Sequence, residues 1–117
     1  MELTERHAGN AVVLAPAGRI DMATADQFRD RLIPLIAEGG KSGHGVVLDF
    51  SGVDYISSAG LRVLMLAARE ARASGVRIAI AALLPLVNEI FQISRFDKVL
   101  SCHTGIDAAL AAVAPPN

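Results

Sequence analysis

The sequence is poor in the residues that build disulfide, metal and thiol sites. Its 117 residues include one cysteine, Cys102, and three histidines, His7, His44 and His103, which lie far apart in the chain. A single cysteine cannot form a disulfide framework, so the composition is typical of a reducing compartment. The histidines have no spacing suited to zinc ligation. We therefore expect no metal site and no cofactor.

An excess of charge and long apolar runs are also missing. The formal net charge is −1, with 11 basic and 12 acidic residues, so the chain lacks the basic surface that nucleic-acid binding requires. Its apolar runs are much shorter than the roughly 20 residues that cross a bilayer, and no signal-peptide pattern opens the chain. We expect a cytoplasmic protein without direct nucleic-acid contact or membrane insertion.

Aromatic residues make up only 4% of the sequence, whereas hydrophobic residues together make up 52%. Most of these are aliphatic, which suits strands covered by helices. Four segments with helical periodicity alternate with short apolar runs at residues 11–17, 45–50, 76–82 and 99–102, and residues 2–7 have a weaker strand pattern. The pattern predicts one α/β domain over residues 1–117, with a mixed β-sheet of four to five strands and about four α-helices.

Some features of this predicted domain stay open. Periodicity alone does not decide whether the helices cover one face of the sheet or both. We expect the first helix to end before Gly39-Gly40, because paired glycines are unfavourable inside a helix. Residues 114–117, Ala-Pro-Pro-Asn, are expected to form a frayed end.

The junction at Ser57-Ser58 is the most informative stretch of the sequence. The strand at residues 45–50 leads into a short polar connection, and an apolar-periodic helix then opens at these two serines. The start of a helix has unpaired N–H groups and the positive end of the helix dipole, which favours an anion such as a phosphate on the serine. Serine is also a common N-cap, and spacing alone favours the cap as the role of Ser58.

Gly60 and Asp21 each admit two interpretations. Glycine in the first turn of a helix costs about 0.5–1 kcal/mol relative to alanine, so Gly60 suggests that the backbone of a partner approaches closely. Asp21 either helps to cap the helix that starts near Thr24 or lies exposed for a partner. Spacing alone slightly favours the cap for Asp21.

Two catalytic motifs can be set aside. Gly40-Lys41-Ser42 resembles the end of a P-loop, but Leu35 stands where that motif needs its first glycine. Ser58 lacks the Gly-x-Ser-x-Gly elbow of hydrolases and has no evident base nearby. We therefore expect no catalytic residue, and an enzyme remains only an outlying alternative.

The segment Asp49-Phe-Ser-Gly-Val-Asp-Tyr-Ile-Ser-Ser-Ala-Gly-Leu61 resembles the signature of STAS domains, a family named for sulphate transporters and anti-sigma factor antagonists. Gly18-Arg-Ile-Asp21 and Phe96-Asp-Lys-Val-Leu100 resemble two further elements of the family. The resemblance covers nearly the whole chain and is greatest to the bacterial antagonists. It implies the STAS-type mixed sheet.

The resemblance also implies a partner switch that regulates transcription. In that switch, the unphosphorylated antagonist binds an anti-sigma factor that is also a serine kinase with an ATP-binding fold. Phosphorylation of the antagonist releases it, and a serine phosphatase resets it. Here the implied phosphoacceptor is Ser58, with Ser57 as a lesser alternative, because relatives often carry an acid at the Ser57 position. The expected partner-binding residues are Asp21, Ser57, Ser58, Ala59, Gly60 and Arg62.

Two other functions fit a STAS domain. One is a regulatory subunit of a membrane transporter, in which Ser58 would only cap its helix. The other is a scaffold in a signalling assembly, which is phosphorylated without binding a regulator of a sigma factor.

Overall fold

The structure, a computed structural model, describes residues 1–115. Of the expected frayed end, Pro116 and Asn117 lie outside this range. A short 3-10 turn at Phe96–Lys98 precedes the last strand. In chain order the helices and strands are β1 (Glu2–Ala8), β2 (Ala11–Ile20), α1 (Ala25–Ser42), β3 (Gly45–Asp49), β4 (Gly52–Ile56), α2 (Ser58–Ser74), β5 (Ile78–Ala81), α3 (Pro85–Ser94), β6 (Ser101–His103) and α4 (Ile106–Val113).

The strands form one mixed sheet in the order β1-β2-β3-β5-β6, and β4 also pairs with β2. β1 lies antiparallel to β2 across the turn at Gly9-Asn10, and every other pair is parallel. The predicted α/β class, with a mixed sheet and four helices, is confirmed. Within residues 1–115 the sheet has six strands, one more than the upper limit that we expected.

The additional strand is β4, which the sequence pattern placed in a polar connection. Its residues pair in parallel with the second half of β2, from Ala17 to Ile20. The register shifts between Gly18 and Arg19, where β4 contributes one extra residue, Asp54, as in a bulge, and Gly18 has a φ of 100°. Val53 and Ile56 anchor β4 in the core. Two buried side chains in five residues are too few to produce a clear strand pattern.

Helices cover both faces of the sheet, but unequally. The larger core contains side chains of α1, α2 and α3, such as Phe28, Leu64 and Phe91. On the opposite face, α4 is the one helix within residues 1–115 that packs against the sheet, through residues including Ala109 and Val113. The residues of β3 alternate between the two cores, as side chains on a strand must, so a strand buried on both faces reads as one continuous apolar run.

The end of α1 differs from the expectation. The helix runs through Gly39 and Gly40 to Ser42. A Cβ atom on Gly39 would lie 2.8 Å from the carbonyl oxygen of His44, and one on Gly40 would lie 2.9 Å from that of Ser74. The two glycines therefore let neighbouring backbone approach the helix, and they do not end it.

Candidate partner-binding site

Ser57 and Ser58 occupy different positions at the start of α2. The N–H of Ser57 donates to the carbonyl of Ile20 at 2.8 Å, which fixes the end of β4 beside the end of β2. Ser57 is extended and is the N-cap of α2, and its Oγ accepts the N–H of Gly60 at 3.5 Å. That distance is long for a hydrogen bond, so the cap is weak. The expectation that Ser58 caps the helix is wrong, because β4 places Ser57 at the last extended position.

Ser58 is the first residue of α2 and is exposed to solvent. Within residues 1–115 its hydroxyl makes no side-chain hydrogen bond, whereas the Ser57 hydroxyl is engaged at the cap. The first N–H groups of the helix and the positive end of its dipole lie at this position. Of the two serines, Ser58 therefore has the freer hydroxyl for a reaction with a partner.

Packing within the domain itself explains why residue 60 is a glycine. It is buried, and a Cβ atom there would lie 2.6 Å from Cγ1 of Ile56 and 2.7 Å from Cγ2 of Ile20. Both distances are far below those of ordinary side-chain contacts. Glycine is needed at this position so that the first turn of α2 can pack onto the ends of β2 and β4. This internal contact is sufficient to require a glycine, and the approach of a partner backbone stays a prediction.

Asp21 lies at the same edge of the sheet as Ser57. Ile20 and Ile56 are paired across β2 and β4, and the residues that follow them leave the sheet together. The Asp21 carboxylate accepts the N–H of Ala23 at 3.0 Å, so it caps the turn that leads into α1. Its side chain is also 31% exposed. The carboxylate thus orders the turn before α1, whose N-cap is Thr24, and does not cap the helix itself. Its contact with a partner stays a prediction.

Arg62 lies four residues after Ser58 on α2 and is exposed. Residues four apart share one face of a helix, with Cβ atoms about 5–6 Å from each other. The guanidinium of Arg62 can therefore reach a group attached to Ser58. Ala59, in contrast, is only partly exposed. The fold brings Asp21, Ser57, Ser58 and Arg62 to one end of the sheet, with Gly60 beneath them.

Three residues near Asp21 were not among the expected partner-binding residues: Arg19, Met22 and Tyr55. Arg19 Nε lies 3.6 Å from Asp21 Oδ2, and its guanidinium carbon lies 4.3 Å from the centroid of the Tyr55 ring. Met22 follows Asp21 and is 87% exposed, which is unusual for a large apolar side chain. Arg19 and Asp21 are two residues apart in an extended segment, and such residues share a face. The sequence spacing could therefore have predicted that Arg19 lies beside Asp21.

The structure also bears on metal, thiol and membrane-spanning features. No group of three or more His, Cys, Asp or Glu side chains that could hold a metal occurs in residues 1–115. Burial, and secondly the charge of Asp97, raises the pKa of Cys102 to about 11, so its thiol stays protonated near neutral pH. None of the helices within the described range has the length and apolar character needed to cross a membrane.

The signature segment thus lies where β4 enters α2, with Asp21 beside it. A family model described as "Mlab, STAS domain" matches residues 3–101. The chain belongs to the STAS domain family. The family resemblance of the sequence is therefore confirmed.

Similar proteins connect this STAS domain to anti-sigma factor antagonists. It is 34% identical to BtrV of Bordetella bronchiseptica, which carries the provisional name of anti-sigma factor antagonist, over 96% of this chain and 94% of BtrV. The crystal structure of an anti-sigma factor antagonist from Mycobacterium paratuberculosis superposes with a TM-score of 0.83. It is 22% identical and is aligned over 96% of this chain and 92% of that chain.

A third similar protein, SpoIIAA, has been solved in two chemical states. The structure of this anti-sigma factor antagonist in its unphosphorylated form has a TM-score of 0.64 and 16% identity, with 92% of each chain covered. The structure of the Bacillus cell fate determinant SpoIIAA in the phosphorylated form has a TM-score of 0.63 and 19% identity, over 92% of this chain and 96% of that chain. At these identities the solved structures establish a common fold.

Proposed function

We propose that this STAS domain is an anti-sigma factor antagonist that acts by partner switching in the cytoplasm. In its unphosphorylated form it binds an anti-sigma factor that is a serine kinase with an ATP-binding fold. That kinase phosphorylates Ser58, the complex dissociates, and a serine phosphatase restores the unmodified protein. The domain is a regulator of transcription and has no catalytic step of its own.

The observation that carries this proposal is the exposed hydroxyl of Ser58 at the first position of α2. The similarity to BtrV over nearly the full length of both chains supports the class of regulator. A phosphorylated form of SpoIIAA, which has the same fold, supports phosphorylation as the switching reaction. Ser57 is the weaker candidate acceptor, because it is less exposed and its Oγ faces the N–H of Gly60.

A phosphate on Ser58 is compatible with the fold. It adds about −1.5 to −2 charges and three acceptor oxygens. The positive end of the α2 dipole stabilises such a charge by roughly 0.3–1 kcal/mol, and the exposed Arg62 lies on the same helix face. Phosphorylation should therefore leave the domain folded and slightly more stable.

The phosphate is expected to weaken the binding of the partner. When two surfaces pack closely around Ser58, a doubly charged group must lose water and meets any acidic group of the partner. A loss of about 3 kcal/mol in binding free energy weakens an interaction roughly 150-fold. The expected partner surface around Ser58 contains Asp21, Ser57, Ala59 and Arg62, with Gly60 holding it in place.

The test uses a purified anti-sigma factor that is a serine kinase with an ATP-binding fold; a gene for such a kinase beside the gene of this chain would identify the one to use. The full chain and its Ser58→Ala and Ser57→Ala variants are incubated with kinase and ATP, and intact mass and peptide mapping follow. We expect one added phosphate on wild type and Ser57→Ala, and none on Ser58→Ala. A phosphate that appears on Ser57, or no phosphate at all, would contradict the proposed acceptor.

Binding is measured separately, so that a missing phosphate and a missing complex can be distinguished. The Ser58→Asp variant should stay folded in thermal melting and bind the kinase at least about tenfold more weakly than wild type. Equal affinity, or loss of the folded state, would overturn the switching account. A chain that binds no kinase but joins a membrane transporter would instead support the regulatory-subunit alternative. Phosphorylation by a kinase that regulates no sigma factor would support the scaffold.

A further inference from the structure

A groove lies between α1 and the C-terminal half of α2, away from Ser58. Its floor and walls are apolar: Ile33 and Pro34 come from α1, and Leu66 and Ala73 come from α2. We refer to it as the α1–α2 groove. Leu66 is eight residues after Ser58, about 12 Å further along the helix axis. The groove is thus separate from the proposed partner surface.

The size of the α1–α2 groove suits one small molecule. Its volume is about 640 Å³, within the roughly 300–1,000 Å³ that is common for ligand sites. A docked protein needs a surface on the order of 1,000 Å² with matching shape, which a groove of this extent does not offer by itself. Leu66 is 40% exposed along its wall, so part of its side chain is accessible to an aliphatic chain in the groove.

Charged side chains surround this apolar floor, and all but one have a partner. Arg29 forms ion pairs of 3.2 Å with Asp26 and 3.1 Å with Asp30. Glu70 accepts a hydrogen bond from the hydroxyl of Ser74 at 2.5 Å. Arg69 also lines the groove, and it has no ion pair within residues 1–115. An unpaired guanidinium at the rim favours a carboxylate, with which it can form two parallel hydrogen bonds.

We propose that the α1–α2 groove binds a medium-chain aliphatic carboxylate. The hydrocarbon chain lies along Ile33, Pro34 and Leu66, and the carboxylate pairs with the guanidinium of Arg69. This inference is independent of the partner switch, since it uses the C-terminal half of α2 and none of the residues around Ser58.

The test follows amide shifts of the ¹⁵N-labelled full chain during titration with octanoate and decanoate, each below its micelle concentration, and with the uncharged decanol below its solubility limit. Decanoate should shift residues of α1 and α2 that line the groove, in a saturable manner. Affinity should rise about two- to fourfold for each added methylene, according to how completely the open groove buries it. Decanol should bind more weakly than decanoate. The absence of saturable shifts, or shifts centred elsewhere, would overturn the site.

Two variants on the same helix test the role of the charge. Arg69→Gln should weaken decanoate about two- to fivefold and leave decanol unchanged, because only the ion pair is removed. Arg72→Gln is the matched control, since Arg72 is exposed on α2 but does not line the groove. Equal losses in the two variants, or equal binding of decanol and decanoate to wild type, would refute the carboxylate. Leu66→Glu should abolish binding, and thermal melting of each variant verifies its fold.

Discussion

Replacement of Gly60 by alanine tests how the start of α2 is seated on the sheet. The new methyl group would lie 2.6 Å from Ile56 Cγ1, 2.7 Å from Ile20 Cγ2 and 3.1 Å from the Ile20 carbonyl oxygen. Carbon atoms in ordinary contact are about 3.5–4.0 Å apart, so the helix or the two strand ends must move by roughly 1 Å. Both strand ends are held by their pairing and by the bond from Ser57 N–H to Ile20.

The expected cost follows from two opposing terms. Overpacking of a well-packed core costs about 1–3 kcal/mol, and alanine recovers up to about 1 kcal/mol of helix propensity. We expect a net loss of about 1–2 kcal/mol in the free energy of unfolding. A domain of 117 residues has an unfolding entropy near 0.25 kcal/mol/K. The melting temperature of Gly60→Ala should therefore fall by about 4–8 °C.

Thermal denaturation followed by circular dichroism measures this shift. Gly105→Ala is the matched control, because a Cβ atom at Gly105 would meet nothing within 4 Å and only the modest capping preference of Gly105 at α4 is lost. Its melting temperature should change by less than about 4 °C. If Gly60→Ala melts within 1 °C of wild type, the close contact with Ile20 and Ile56 is not what requires the glycine. The displaced α2 terminus should also slow phosphorylation of Ser58 by its kinase.

Three further predictions concern single side chains. Ser57→Ala should lower the free energy of unfolding by about 0.5–1 kcal/mol, because it removes the α2 cap, whereas Ser58→Ala should leave it almost unchanged. Urea titration measures both values. A larger loss in Ser58→Ala than in Ser57→Ala would contradict the assignment of the cap to Ser57. Asp21→Asn keeps a side-chain oxygen for the N–H of Ala23 but removes the charge, so it should weaken kinase binding in calorimetry while melting as wild type does; unchanged affinity would exclude a partner contact. The pKa of Cys102 is raised from 9.0 to about 11, so at pH 8 its thiolate fraction, and its alkylation rate by iodoacetamide, should be about 100-fold below that of an ordinary cysteine. Since the folded state retains this proton where the unfolded state has lost it, the free energy of unfolding should also fall as pH rises from about 9 to about 11.

The sequence by itself determined the α/β class and most of the helices. In α1, the residues Ala25, Phe28, Leu32 and Ile36 recur at helical spacing, and all four are buried. The apolar run at residues 45–50 likewise predicted the strand β3, and the structure shows that both of its faces are covered. Such patterns can be read locally, because each residue's side of a helix or strand follows from its spacing alone. The strand-to-helix change at Ser57-Ser58 was found in the same way, and so was its similarity to the STAS signature.

Only the tertiary structure decided what depends on residues distant in the chain. The parallel pairing of β2 with β4 places Asp21 beside Ser57 and assigns the cap to Ser57. The same pairing brings Ile20 and Ile56 together beneath Gly60 and so explains the glycine, whose cost in a helix had suggested the close approach of a partner. The packing of α4, and of no other helix within residues 1–115, against the second face of the sheet was likewise visible only in the structure. Local periodicity fixes which side of an element is apolar, whereas strand pairing, register and close backbone approach depend on packing between segments that the sequence separates.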